Sequence, residues 1–386
     1  MRPARILLVA GEASGDKHAA RLIQALRTQV GQLELYGIGG PALAAQGMAF
    51  ACRAEDLAVI GLTEVVRQVP TLWRALGQLW RRLRDQRPDL VILVDFPDFN
   101  FLVLRLAHYY GVPVLYYISP QVWAWRRGRV KTIARFVKRM VVIFPFEEEF
   151  YRRHGVAVAY VGHPLLETLP PLPPRPEIRA CYGLQDKDLA IALLPGSRTG
   201  EVHQLLPAML ASAQQLARLL PRCRFLLPLA PGLAPDLVQP YLTQAAVPVD
   251  LRQGQTYEIL AAADLALVAS GTATLETALL GTPMVILYRL SPLTYVVGRL
   301  LIRVPHIGMA NLLAEEGLFP ELIQQEVTPA RITAAALSLL RDADHLARIR
   351  TGLKRLHQRL GGPGAAVRAA AVARELLPPE AGGRGR

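Results

Sequence analysis

Two segments of the sequence have the residue types and the order of phosphate-binding turns. The first, Leu193-Leu-Pro-Gly-Ser-Arg-Thr-Gly-Glu201, leads from an apolar run through Gly196 and Ser197 into a helical pattern. Glycine lets backbone N–H groups approach an anion, a helix N-terminus contributes about half a positive charge, and the Arg198 guanidinium fits phosphate oxygens. The segment therefore indicates a diphosphate site. An ordinary strand-to-helix turn with a solvated arginine would have the same residues.

The second segment, Ala269-Ser-Gly-Thr-Ala-Thr-Leu-Glu276, also follows an apolar run and also opens a helical pattern. The residues that can cap this helix or contact a phosphate are Ser270, Gly271, Thr272 and Thr274. Glu276 stands where a carboxylate can accept both hydroxyls of a ribose, although an acidic residue is also favourable in any first helical turn. Two such turns in one half of the chain together predict a nucleotide diphosphate ligand.

Two carboxylates in the first half of the chain are candidates for acid–base chemistry. In Val94-Asp-Phe-Pro-Asp-Phe-Asn100, Asp95 and Asp98 follow an apolar run and so lie at the carboxyl end of a predicted strand. A carboxylate there can take a proton from an attacking hydroxyl. Asp98 equally suits a helix cap, and Asp95 suits a turn.

Other motif classes are disfavoured. The glycine-containing loop at residues 9–18 is neither G-x-G-x-x-G nor a Walker A sequence, which argues against a simple dehydrogenase or a P-loop enzyme. The 3 cysteines, Cys52, Cys181 and Cys223, are widely spaced and have no histidine at metal-binding spacing. A disulfide framework or a zinc site is therefore not expected.

The candidate residues follow apolar runs that alternate with helical patterns. The runs predicted as strands are residues 5–10, 90–94, 114–118, 140–144 and 159–161 in the first half, and 190–194, 225–228, 265–268 and 284–287 in the second. Fully apolar strands that alternate with helices are typical of a parallel sheet covered on both faces. The sequence therefore predicts an α/β protein with two doubly wound parallel-sheet domains.

A proline-rich stretch predicts where the domains meet. Residues 169–176 contain five prolines in eight positions, which a helix or a central strand cannot accommodate. We expect a first domain at 1–168 and a second at 177–353, which face each other across a cleft at the carboxyl ends of their strands. Residues 354–386 are expected to form a helix that returns to the first domain or packs on a partner chain, followed by a disordered tail.

The net positive charge of the chain predicts an anionic partner. The 386 residues include 44 Lys and Arg against 31 Asp and Glu, a formal charge of +13. Basic residues accompany Trp73 and Trp80, and again Trp123 and Trp125, a combination that suits a membrane interface or single-stranded nucleic acid. Leucines at helical spacing beside Trp73 also fit a core-facing helix with solvated arginines. No apolar run has the about 20 residues of a spanning helix, and the start is no signal peptide, so a cytosolic chain is expected.

Taken in order, these segments resemble the lipid-A-disaccharide synthases, inverting glycosyltransferases of the two-domain B type (GT-B). The stretches that carry the resemblance are Gly11-Glu-Ala-Ser-Gly-Asp16, Gly37-Ile-Gly-Gly-Pro41, Val94-Asp-Phe-Pro-Asp-Phe-Asn100, Ile118-Ser-Pro-Gln-Val-Trp-Ala-Trp125, Gly162-His-Pro164, Leu194-Pro-Gly-Ser-Arg198, Ala269-Ser-Gly-Thr-Ala-Thr-Leu-Glu276 and Asn311-Leu-Leu313. Ala310 stands where the family usually has proline, and Phe96 where a small residue is common. These departures concern substrate detail rather than the family.

The resemblance implies a reaction and its participants. UDP-2,3-diacylglucosamine would donate its sugar to the 6-hydroxyl of 2,3-diacylglucosamine 1-phosphate (lipid X), which gives the β-1,6 disaccharide and UDP. Both substrates carry acyl chains, so the enzyme would work as a peripheral protein on the anionic inner face of the inner membrane, without nucleic acid. A homodimer is left open.

Our mechanistic hypothesis assigns roles to single residues. Asp95 would be the general base, and Arg198 with the two helix N-termini would stabilise the departing UDP in place of a metal ion, so no metal or other cofactor is expected. By resemblance, Glu276 would hold the ribose, and Asn311 would lie near the nucleotide. The residues expected on the acceptor side are Ser14, Gly15, Asp98 and Asn100.

Two other functions remain open. One is another GT-B sugar-nucleotide enzyme, either a UDP-N-acetylglucosamine 2-epimerase or a glycosyltransferase for a water-soluble acceptor. The other is a basic nucleic-acid-binding protein without catalysis, which is disfavoured because no nucleic-acid-binding motif is present.

Overall fold

The computed structural model describes residues 2–57, 62–124, 127–290, 305–314 and 317–378, and it describes side chains there except at residues 55, 57, 62–69, 127 and 343. The chain forms two compact units. The first consists of Met1–Glu167 together with Leu360–Arg386, and the second of Thr168–Arg359. Of the tail that we expect to be disordered, residues 378–386, all but the first residue lie outside the described residues.

The strands and helices alternate along the chain. The strands are β1 (Ala4–Ala10), β2 (Leu33–Gly39), β3 (Ala49–Arg53), β4 (Leu90–Val94), β5 (Val114–Tyr117), β6 (Arg139–Val142), β7 (Val158–Tyr160), β8 (Leu189–Leu194), β9 (Cys223–Leu229), β10 (Val249–Gln253), β11 (Leu265–Ala269), β12 (Met284–Tyr288) and β13 (Glu321–Ile323). The helices are α1 (Ala13–Arg27), α2 (Pro41–Ala44), α3 (Leu62–Gln86), α4 (Pro97–Tyr109), α5 (Val130–Phe136), α6 (Pro145–Arg153), α7 (Leu165–Thr168), α8 (Arg175–Cys181), α9 (Thr199–Leu219), α10 (Gln239–Gln244), α11 (Thr256–Ala262), α12 (Thr272–Leu279), α13 (Met309–Ala314), α14 (Pro329–Arg341), α15 (Ala343–Arg359) and α16 (Ala365–Glu375).

Each unit is built on one parallel sheet. The first has seven strands in the order β3-β2-β1-β4-β5-β6-β7, and the second has six in the order β10-β9-β8-β11-β12-β13. Every residue of β4 and of β11 is buried, because helices cover both faces of a central strand, and this explains why these strands are uninterrupted apolar runs. The predicted fold class, two parallel-sheet α/β domains, is confirmed.

Four strands have no fully apolar run in the sequence and were not predicted. They are β2, β3, β10 and β13, of which the last three form sheet edges. In β3 and β10 no residue is fully buried. An edge strand is covered on fewer sides than a central one, so its sequence keeps polar residues and lacks the apolar signal.

The C-terminal segment is divided between the two units. Helix α15 ends at Arg359 in the second unit, whereas α16 lies in the first, where it packs against α1. The Arg368 side chain holds α16 in place. Its Nε donates to the Val161 carbonyl at 2.8 Å, and its Nη2 donates at 2.8 Å to the carbonyl of Gly362, in the segment that precedes the helix. Among the described residues, no helix is long and apolar enough to cross a membrane.

Candidate active site

Asp95 lies in a sharp turn between β4 and α4. Asp95 and Phe96 both have a left-handed backbone, with φ of 46° and 45°, which is uncommon for residues other than glycine. The Asp95 carbonyl accepts two hydrogen bonds, from Asn100 Nδ2 at 2.6 Å and from the Tyr116 hydroxyl at 2.8 Å. The Phe96 ring lies so close to Gly11 that a Cβ there would be 2.3 Å from it. The loops after β1 and β4 therefore pack directly on each other.

The two polar residues that follow Asp95 differ in exposure. The Asp98 carboxylate forms an ion pair with Arg129, and its side chain is 68% exposed in the first turn of α4. Asn100 is fully buried, and its Nδ2 donates to the Val94 and Asp95 carbonyls. The Asn100 amide therefore supports the loop in this structure, and its expected contact with the acceptor stays a prediction.

The glycine-containing motifs at residues 11–16 and 37–41 are joined by hydrogen bonds to Asp16, a residue to which the sequence assigned no role. Ser14 is exposed at the start of α1, whereas Gly15 is buried. The buried Asp16 carboxylate accepts backbone hydrogen bonds from Gly40 at 2.7 Å, Ala42 at 2.9 Å and Leu43 at 3.2 Å. Asp16 thus ties the start of α1 to the start of α2. In the sequence it stood out only as the last residue of the motif Gly11–Asp16, without a role of its own.

A buried carboxylate also holds the loop after β5. Glu147, in α6, accepts hydrogen bonds from Trp123 Nε1 at 3.0 Å and from the Phe144 backbone N–H at 3.2 Å. Ser119 in the same loop lies 2.6 Å from the Tyr151 hydroxyl. Burial raises the pKa of Glu147 to about 7. Trp123 is therefore a structural residue of the first unit; its neighbours Trp125 and Arg126 lie outside the described residues.

We expect the stability of Glu147→Gln relative to the wild type to increase as the pH rises from about 4.5 to about 7. The folded wild-type chain keeps a proton on Glu147 that the unfolded chain releases in this window, so wild-type stability falls with pH, whereas glutamine does not titrate. The whole change is on the order of 3 kcal/mol. Urea unfolding followed by tryptophan fluorescence measures it, because the 4 tryptophans belong to the first unit. A difference that is independent of pH would contradict the assignment.

In the second unit, the backbone N–H groups of the turn at Gly196 bind a carboxylate of the same segment, that of Glu201. Glu201 Oε2 accepts hydrogen bonds from the backbone N–H groups of Ser197 at 3.0 Å and Arg198 at 3.3 Å. A Cβ on Gly196 would lie 2.3 Å from the same oxygen. In this conformation these two N–H groups bind the Glu201 carboxylate, and the expected diphosphate contact of the turn stays a prediction. The Arg198 side chain is 69% exposed, with Glu201 Oε1 at 3.6 Å from Nη1.

The turn at residues 269–276 uses several of its polar groups internally. The Ser270 hydroxyl donates to the Ile307 carbonyl at 3.1 Å, and the buried Thr274 hydroxyl donates to the Gly271 carbonyl at 2.8 Å. Thr272 is exposed at the start of α12. The Thr274 hydroxyl therefore bonds within its own helix and does not cap an N–H group at the start of α12.

Glu276 has a partner from a neighbouring helix. The Tyr257 hydroxyl, in α11, donates to Glu276 Oε1 at 3.0 Å. This bond restricts the orientation of the carboxylate on α12. Tyr257 was not singled out in the sequence, because it lies 19 residues before its partner and no local pattern connects the two.

Asn311 is fully buried and holds two chain segments together. Its Nδ2 donates to the Phe319 carbonyl and to Glu321 Oε1, both at 2.8 Å, and its Oδ1 accepts from the Phe319 N–H at 2.9 Å. Glu321, which the sequence analysis missed, also accepts from the Ile307 N–H at 2.9 Å. Asn311 therefore acts on the segment at 305–308 through Glu321. Its expected place near a nucleotide stays a prediction.

Clusters of three or more metal-binding side chains do not occur in the part of the chain that the structure describes.

Two α/β units, each built on one parallel sheet of six or seven strands, are the architecture of GT-B proteins. The UDP-GlcNAc 2-epimerase from Neisseria meningitidis bound to UDP-GlcNAc has a TM-score of 0.64 at 15% identity, over 96% of this chain and 98% of that one. The calicheamicin glycosyltransferase CalG4 has a TM-score of 0.59 at 17% identity, over 97% and 98%. Both likenesses concern the fold.

The family follows from closer matches. Residues 6–375 match the family model described as lipid-A-disaccharide synthetase. The lipid-A-disaccharide synthase of Syntrophus aciditrophicus (strain SB) is 47% identical over 373 residues, which cover 96% of this chain and 97% of that protein. The chain belongs to the lipid-A-disaccharide synthase family, and it is a glycosyltransferase of lipid A biosynthesis.

Proposed function

We propose that this enzyme transfers 2,3-diacylglucosamine from UDP-2,3-diacylglucosamine to the 6-hydroxyl of 2,3-diacylglucosamine 1-phosphate (lipid X). The bond between the anomeric carbon and the diphosphate oxygen breaks, and a β-1,6 bond to the acceptor oxygen forms with inversion. The products are the disaccharide 1-phosphate and UDP. The observation that carries the proposal is the Asp95 turn, a carboxylate at the end of a central strand in a backbone conformation that its surroundings enforce.

Asp95 is the proposed general base. It takes the proton of the acceptor hydroxyl while the oxygen attacks the anomeric carbon. Its side chain is partly exposed, unlike the fully buried Asn100 nearby, so a substrate hydroxyl can reach it. Ser14, Gly15 and Asp98 stay proposed as acceptor-side residues.

The proposed nucleotide residues lie in the second unit. Arg198 binds the diphosphate and stabilises the charge that develops as UDP leaves, helped by the Ser197 hydroxyl and the turn at Gly271 and Thr272. Glu276, oriented by Tyr257, accepts the ribose hydroxyls. A sugar nucleotide is supported by the UDP-GlcNAc bound to the similarly folded epimerase. The proposal contains no metal ion or other cofactor.

The acyl chains of the acceptor provide the decisive test. UDP release from UDP-2,3-diacylglucosamine is measured with lipid X and with glucosamine 1-phosphate as acceptors. We expect turnover with lipid X only. Equal rates would favour a glycosyltransferase for a water-soluble acceptor, and conversion of UDP-N-acetylglucosamine to its 2-epimer without any acceptor would favour an epimerase.

We also propose that α3 binds the anionic inner face of the inner membrane, where lipid substrates reside. Its Leu79 and Leu83 are buried in the first unit, while the side chains of Trp73 and Trp80 are 65% and 37% exposed. The Arg84 guanidinium lies 4.7 Å from the centre of the Trp80 ring. Exposed tryptophans beside arginines suit the headgroup region, where the ring enters the interface and the cation meets lipid phosphate. The homodimer stays a prediction.

Removing both exposed tryptophans, as Trp73→Ala with Trp80→Ala, is expected to weaken binding to vesicles that contain anionic phospholipid by about tenfold, because apolar area that would enter the interface is lost. Co-sedimentation with vesicles measures it. Leu219→Ala is the matched control, since Leu219 is an exposed apolar residue of the second unit, at 53% exposure. Unchanged binding of the tryptophan variant would contradict the membrane assignment.

A further inference from the structure

The backbone of Asp95 and Phe96 needs external support. Two successive non-glycine residues in the left-handed region, with φ of 46° and 45°, are unfavourable for an isolated chain, and such turns persist only where their surroundings determine them. The turn connects β4 to α4. Its backbone geometry therefore also sets the direction in which the Asp95 side chain leaves the end of β4.

Two buried side chains from different elements supply this support. Tyr116 belongs to β5, where it pairs in register with Leu93 of β4, and its hydroxyl reaches past the end of β4 to the Asp95 carbonyl at 2.8 Å. Asn100 approaches the same carbonyl from α4 at 2.6 Å. Both side chains are fully buried. The carbonyl is thus held from the neighbouring strand and from the following helix at once.

The Tyr116 hydroxyl is a dependable donor. Burial, together with the nearby Asp95, raises the pKa of Tyr116 well above its usual value. The hydroxyl therefore keeps its proton at every pH at which the enzyme would be assayed, so it stays a donor to the Asp95 carbonyl.

We propose that Tyr116 is a positioning residue for catalysis: its hydroxyl, together with Asn100, holds the left-handed turn at Asp95 and so sets the direction of the Asp95 carboxylate. Tyr116 does not contact the substrate, and it acts through Asp95 alone. The inference rests on the proposed function, in which Asp95 is the general base.

The neighbouring residue gives a matched control. Tyr117 is the next residue of β5, it is also fully buried, and its hydroxyl has no hydrogen-bond partner among the described residues. Successive residues of a strand point to opposite faces of the sheet. Tyr116→Phe and Tyr117→Phe therefore make the same chemical change in the same strand, but only the first removes a bond to Asp95.

The experiment measures kcat, KM for the sugar nucleotide and the melting temperature of the full-length chain. Tyr116→Phe is expected to lower kcat about tenfold, because a small displacement of a catalytic group is costly, while KM and the melting temperature change little. Tyr117→Phe is expected to leave all three unchanged. The decisive measurement is Tyr116→Phe combined with Asp95→Asn in single-turnover assays, where no further loss is expected.

Several outcomes would overturn the inference. A normal kcat for Tyr116→Phe would do so, as would an equal loss for Tyr117→Phe. A tenfold loss that persists in the Asp95→Asn background would show that the tyrosine acts on the fold rather than through Asp95. Near-normal turnover of Asp95→Asn alone would instead remove the proposed base, so failure of the proposed function is visible in that single variant.

Discussion

Asp95→Asn is expected to lower kcat by at least about 100-fold, because an uncharged amide cannot take the proton of the acceptor hydroxyl. The Kd for UDP should stay within about twofold of the wild-type value, since the proposed nucleotide residues belong to the other unit. Asparagine keeps the shape of the side chain and tolerates the left-handed backbone that position 95 requires. The loss would therefore report chemistry rather than a collapsed turn.

Steady-state UDP release and calorimetric titration with UDP measure the two quantities. Asp250→Asn is the matched control, because Asp250 is a partly exposed aspartate of β10 that pairs with Arg252. Near-normal turnover of Asp95→Asn would remove Asp95 as the base. If the loss appeared instead in Asp98→Asn, the proton acceptor would be the carboxylate one turn further along the chain.

Arg198→Ala is expected to lower kcat by about 10² to 10³ and to weaken UDP binding, since it removes the charge that we propose to face the departing diphosphate. Two backbone N–H groups of the same turn already donate to Glu201, so we expect binding of the diphosphate at this turn to depend mainly on the arginine. Arg198→Lys should lie between the wild type and the alanine variant, because lysine keeps the charge but loses the planar pair of donors.

The folding of these variants is not expected to change. The Arg198 side chain is mostly exposed, and its described ionic contact is with Glu201 in the same helical turn. Arg252→Ala, which removes a partly exposed arginine from an edge strand, is the control. A kcat and a UDP Kd that both stay within threefold of wild type for Arg198→Ala would exclude a role in binding the diphosphate.

Much of the fold could be predicted because central strands carry a strong local signal. Strands β4, β8 and β11 are covered on both faces, and their sequences are almost wholly apolar. Strands β3, β10 and β13 lie at sheet edges, where partial exposure permits polar residues. Burial favours apolar residues, so partly exposed edge strands can lack this signal. The inner strand β2 was missed for another reason, because Glu34 and two glycines interrupt its apolar residues.

The positions of the candidate residues in strand-end turns could be predicted from the sequence. The side chains that hydrogen-bond to these turns could not. Asp95, Arg198 and Glu276 follow apolar runs, so their place at strand ends could be inferred. Tyr116 lies 21 residues from Asp95, and Trp123 lies 24 residues from Glu147. Nothing in the local pattern links such pairs, because they meet only when neighbouring strands align in register.

The sequence by itself therefore determined the family, the two parallel-sheet domains and the strand-end turns that carry the candidate chemistry. Only the tertiary structure decided which polar residues are exposed to solvent and which are buried and hydrogen-bonded within the protein. Asn100 and Asn311 look like ligand-binding residues in the sequence, yet both are fully buried and bonded to backbone groups. A buried polar group must find a partner, and that partner is chosen by packing between elements far apart in the chain.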